Sequence, residues 1–215
     1  MRHFYLYILV FLSFYNPNII AQIDKPNLLV FVGEFISINQ LPKTYEYQYI
    51  VDFAYSAKYK VLQIVLGEYN HDTIEFEVHD HYGTPQFSKY KNVLLYLSQS
   101  PNGKWVHQKY LYSAVYQTVD GRWAGPFDLS DYTDIRNKNI QVKPENISFK
   151  DSIYVNIKWT SYYKRKISKK ARDMWYPSPY YKQIGDSALV KMGNYVEELL
   201  LLKKYGVLEA RGITW

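Results

Sequence analysis

Along "IEFEVHDHYG" (74–83), Ile74, Phe76 and Val78 fall on one face of an extended chain, and Glu75, Glu77, His79 and His81 on the other. That is the period of a half-buried strand. The same logic extends to either side. "NLLVFVGEFISI" (27–38) is rich in strand formers, and Gly33 inside it marks a bulge or coil. "YEYQY" (45–49) alternates tyrosine with polar residues and reads as a short edge. "FAYSAKYKVLQIVLG" (53–67) is a long strand closed by Gly67, and "DTIEFEVHD" (72–80) follows after a turn. "NVLLYLS" (92–98) is a near-continuous apolar run, the mark of a central strand. "KWVHQKYLYSAVYQT" (104–118) returns from it through the hairpin signal Asn102-Gly103. Five substantial strands of uneven length predict a small closed or nearly closed barrel, with a sandwich as the rival.

The pattern changes after Phe127. Residues 128–151 are polar and read as a loop-rich connection. "SIYVNIKWTSYY" (152–163) alternates again, Ile153, Val155 and Ile157 against Tyr154, Asn156 and Lys158. "MWYPSPYYKQ" (174–183) is expected to stay extended around Pro177 and Pro179. In residues 186–206, Leu189, Met192, Val196, Leu199 and Leu200 fall at helical spacing. With Asp186 or Ser187 as cap and Lys203, Lys204 and Gly206 at the end, they predict one amphipathic helix packed on the sheet. The expected class is mainly β: an OB-like barrel over 22–127, then a β extension, a basic aromatic tract and a C-terminal helix over 128–215.

Residues 1–21 form a separate layout. Arg2 precedes an apolar run from Phe4 to Tyr15, and Ala21 stands before Gln22. This predicts a secretory signal peptide, hence export to a bacterial periplasm, an outer surface or the medium. No later stretch has the length of a spanning helix, so no transmembrane segment is expected after cleavage. The 215 residues contain no cysteine, which excludes disulfides, thiolate metal sites and a cysteine nucleophile.

The order of "LVFVGEFISI", "YSAKYKVLQIVLGEY", "DTIEFEVHDHYG" and "FSKYKNVLLYLS" resembles the OB-fold of the netrin module and of the tissue inhibitors of metalloproteinases. The resemblance covers about residues 28–97 and implies a barrel. That family's inhibitors use an N-terminal cysteine on the protease zinc, so their mechanism does not transfer to a chain without cysteine.

The candidate chemistry is sparse. His79 and His81, at i and i+2 on one strand face, could supply two corners of a metal site, with His107 or a glutamate as a third ligand; the alternative is the wet face of a strand. Asp80 falls on the apolar side and is expected to bind turn amides or a nearby Tyr or Arg, or, if its pKa is raised, to act as a base. No G-x-S-x-G, phosphate-loop or H-E-x-x-H stretch is present, and with only 10 glycines no cofactor cradle is expected. Trp123, between Gly121 and Gly125, is expected to plug the barrel's end.

Charge singles out one stretch. The formal net charge is +6, and "SYYKRKISKKAR" (161–172) carries six basic residues and no acidic one. Around Lys164, Arg165, Lys166, Lys169, Lys170 and Arg172 stand Tyr162, Tyr163, Trp175 and Tyr176. Cations among planar rings suit anionic partners. Export argues against nucleic acid, leaving a protein or an anionic glycan; a solvated loop is the alternative. The expected function is a non-enzymatic envelope or extracellular binding module. A metal-dependent or acid/base hydrolase using the 75–81 strand is the alternative.

Overall fold

The computed structural model describes residues 28–42, 52–136, 141–159 and 165–215. The signal segment, the edge at 45–49 and Tyr162, Tyr163 and Lys164 lie outside the described residues.

The barrel is formed by β1 (Leu28–Gln40), β2 (Phe53–Leu66), β3 (Thr73–Asp80), β4 (Asn92–Gln99) and β5 (Trp105–Ala114). The strands close in the order β1-β2-β3-β5-β4, with β3 and β5 parallel and the other neighbours antiparallel. This is a five-stranded Greek-key barrel of the OB type. β1 bonds β2 along one edge and β4 along the other, and its register slips between Val32 and Gly33. A side chain at Gly33 would put its Cβ 2.8 Å from the Phe31 ring and 3.0 Å from Tyr59. Only glycine lets the coiled strand pass over those rings.

The barrel interior holds Leu29, Phe31, Tyr55, Tyr59, Ile74, Phe76, Val78, Val93, Leu95 and Leu97. It is plugged by Phe87, from a 3₁₀ turn at Gln86–Lys89. Trp123 does not plug it; its ring packs on the barrel's outer core instead. The long apolar runs of β1 and β4 have a simple cause. Leu28, Val30 and Val32, with Leu94 and Tyr96, point away from the interior and are buried under a C-terminal helix, so both faces of these strands are dry.

That helix, α3, differs from the expected one. β6 (Tyr116–Gln117), β7 (Trp123–Pro126) and α1 (Leu129–Thr133) follow the barrel, then β8 (Glu145–Asn146), β9 (Tyr154–Asn156) and α2 (Lys169–Trp175). β10 (Tyr181–Ile184), β11 (Ser187–Val190) and β12 (Met192–Tyr195) come next, and α3 spans only Val196–Lys203. The first half of the expected helix is two strands. Gly193 lies so close to β7 that a Cβ there would stand 2.0 Å from the Gly125 carbonyl oxygen, and Ala188 and Val190 alternate into a third core. The helix begins where Tyr195 N–H donates to the Glu198 carboxylate at 3.1 Å. Its apolar face, Val196, Leu199, Leu200 and Leu202, packs on the barrel, each such side chain contributing about 1.5–3 kcal/mol.

The remaining strands form a sheet β6-β7-β12-β8 and a sheet β10-β11-β9. The second carries a core of Phe127, Ile153, Ile157, Tyr181, Ala188 and Val190.

Candidate functional site

The histidines of the 74–83 stretch do not converge. His79, on the outer face of β3, stands 2.7 Å from Glu77. His81 lies beyond the strand end, 3.7 Å from Asp52. His107 is inside the barrel, with its ring 4.7 Å from Phe87 and its Nε2 2.9 Å from the Leu111 carbonyl oxygen. Burial lowers its pKa to about 4, with the charge of Arg211 adding to the effect and the Leu111 bond opposing it. Among the described residues no three His, Asp or Glu side chains are grouped to hold a metal ion. Asp80 is buried and accepts the Tyr82 N–H at 2.8 Å, which is the turn-amide role expected of it.

From Arg165 on, the basic aromatic tract is divided between two local structures. Arg165 and Lys166 are exposed on a segment that bridges Trp159, and Ile167 N–H donates to the Lys158 carbonyl at 2.9 Å. Buried Ile167 anchors this segment. Ser168 then caps α2 by accepting the Ala171 N–H at 3.2 Å. A helix over 169–175 replaces the expected extended path through Met174 and Trp175, because a serine cap precedes four good helix formers, Lys169, Lys170, Ala171 and Arg172. The tract's described part from Arg172 to Tyr176 is tied to the strand β10 and the turn that follows it. Arg172 reaches the Gly185 carbonyl at 3.4 Å and Asp186 at 3.5 Å. Gln183 Nε2 donates to the carbonyls of Tyr176 at 3.1 Å and Arg172 at 3.4 Å.

Past the helix, Tyr176 and the turn at 177–180 wall a groove of about 580 Å³. Pro177 and Pro179 line it, together with two exposed lysines, Lys182 of β10 and Lys191 from the link between β11 and β12. Asp173 is the one acidic group among its lining residues. Tyr176 meets Tyr181 edge to face at 5.2 Å, and the Tyr181 hydroxyl donates to the Phe127 carbonyl. Burial raises the pKa of both phenols, with Asp128 adding to it, so both stay neutral donors. Lys169 and Lys170 are exposed on α2 and Trp175 is half exposed at its end. Lys182 and Lys191 were not singled out by sequence. Each is an isolated lysine, and only the β10–β11 pairing, Tyr181 opposite Val190, brings them to one place.

A second depression, about 510 Å³, lies between the barrel and the sheet β6-β7-β12-β8, where Tyr90, Tyr116 and Trp123 face it. Its lining charges come in equal numbers: Lys91 pairs with Glu34 at 3.5 Å, and Lys150 and Asp151 also line it.

Among the described residues no helix is long and apolar enough to cross a membrane. No family model, no curated protein and no solved structure matches this chain.

Proposed function

We propose that the protein is an exported, non-enzymatic binding module of the cell envelope or extracellular space, with an anionic glycan or a protein as ligand. The observation that carries this reading is the groove beside α2. There, two exposed ammonium groups, two proline rings and a neutral tyrosine meet a single carboxylate. The cations draw in an anion, the rings provide a face for stacking, and the phenol adds a directional hydrogen bond. Lys169 and Lys170 add positive potential within a turn of the groove's Asp173.

The test is titration of the purified protein with alginate, heparin and poly-glutamate, with dextran as the neutral control. Binding of an anionic glycan that weakens steeply with salt, and falls at least about tenfold in Lys182→Gln/Lys191→Gln, is expected. Binding of poly-glutamate alone would favour the protein ligand. Equal affinity of wild type and variant for every probe removes the groove as the site. Export is tested separately by N-terminal sequencing of the protein in its native host, where a start near Gln22 is expected.

A further inference from the structure

A second unusual feature involves none of the residues that line that groove. Tyr110 has φ +65°, and among the described residues it alone combines a positive φ with a side chain. A bulky residue in the left-handed region is strained. The strain is built in by a wide bulge in β5. Between the pairs Leu97–His107 and Leu95–Tyr112 lie one residue of β4, Tyr96, and four of β5, residues 108–111. Three contacts hold the bulge open. His107 bonds the Leu111 carbonyl across it. Arg211, from the C-terminal end, donates to the Gln108 side chain at 2.9 Å and to the Lys109 carbonyl at 2.8 Å.

All this structure presents an exposed ring. Tyr110 is 47% exposed and Tyr82, from the turn after β3, is 59% exposed. Their ring centroids are 6.1 Å apart with planes inclined by 38°. Lys109 lies 5.2 Å from the Tyr110 centroid and pairs with Asp52 at 2.5 Å, and His81 stands edge-on to Tyr82 at 5.1 Å. A glycine at position 110 would relieve the strain, and a core role for the ring is ruled out by its exposure. A strained residue whose ring contacts lie at the surface, with Tyr82 and Lys109, points to a ligand.

We infer that Tyr110 and Tyr82 form a platform for a pyranose ring of a neutral glycan. Two inclined ring faces match the apolar faces of a sugar, and Lys109, Asp52 and His81 beside them supply the donors and acceptors that its hydroxyls require. The Lys109–Asp52 pair cancels its own charge, which disfavours phosphate or carboxylate ligands. A protein interface core is depleted of such charged groups. The platform is separate from the groove beside α2 and takes a different class of ligand.

The experiment is saturation-transfer NMR and calorimetry on the purified protein with cellohexaose, maltohexaose, laminarihexaose and chitohexaose. At least one is expected to bind, with affinity reduced tenfold or more by Tyr82→Ala and by Tyr110→Gly. Lys182→Gln/Lys191→Gln should leave that affinity unchanged. Because strain is released, Tyr110→Gly should also raise the urea midpoint, by about 0.3 M. Failure of all four sugars, binding indifferent to Tyr82→Ala and Tyr110→Gly, or a lowered urea midpoint in Tyr110→Gly would each overturn the inference. So would concentration-dependent self-association in sedimentation that Tyr82→Ala abolishes, since the rings would then serve a protein contact.

Discussion

His107 makes the fold acid-sensitive in a defined window. Its ring is 6% exposed, among Phe76 and Phe87 and inside a strand of the barrel. Folding lowers its pKa from 6.5 to about 4. Between those values the unfolded chain holds a proton that the folded chain does not, so stability falls as pH falls. The contribution is fully present above pH 6.5 and is lost progressively down to about pH 4. A pKa lowered from 6.5 to about 4 corresponds to about 3 kcal/mol at 1.36 kcal/mol for each tenfold change in proton affinity. The comparison is urea unfolding of wild type and His107→Gln at pH 7.5, 6.5, 5.5 and 4.5. Glutamine retains a donor for the Leu111 carbonyl and does not titrate. All other ionisable groups are common to both proteins, so their effects cancel in the difference. The wild type should lose up to about 1.4 kcal/mol per pH unit relative to the variant below pH 6. Parallel pH profiles, or an NMR titration of His107 with a midpoint near 6.5, would refute the reasoning.

Further substitutions probe the packing. The Tyr59 hydroxyl is buried in the barrel without a hydrogen-bond partner, so Tyr59→Phe should be neutral or stabilising by about 1 kcal/mol in chemical denaturation; a loss above 1 kcal/mol would mean the hydroxyl is bonded. Lys203, at the end of α3, pairs with Asp131, whose carboxyl burial drives its pKa up against the pull of that lysine. Lys203→Met should cost about 3 kcal/mol at pH 7, and Asp131→Asn in the same chain should restore most of it. Gly193→Ala would drive a methyl group into the Gly125 carbonyl, and a loss of at least about 3 kcal/mol in thermal unfolding is expected; wild-type stability would show that β7 and β12 can separate without cost.

The barrel was legible in the sequence because each of its five strands carries its own period-two or doubly buried pattern. Ile74, Phe76 and Val78 alternate with polar residues, and "NVLLYLS" announces two dry faces. Asp80 was legible too, since a carboxylate on the apolar side just before a turn has few ways to be satisfied. Other features depend on partners distant in the chain. His107 and Tyr112 both face the barrel interior although five residues apart, an odd spacing that only the bulge at 108–111 permits; nothing local announces that bulge. Leu189 and Met192 sit at helical spacing with Val196, yet strand pairing with β9 and β10 and the close passage of Gly193 over Gly125 outweigh that local signal. The basic tract was visible as a charge run. The groove beside it needs Lys182 of β10 and Lys191, just past β11, brought together by strand pairing, and the contact of Tyr82 with Tyr110 needs a turn and a bulge 28 positions apart. Periodicity records which face of an element is dry. Which elements meet, and which side chains they bring together, is decided by long-range packing that a local pattern does not encode.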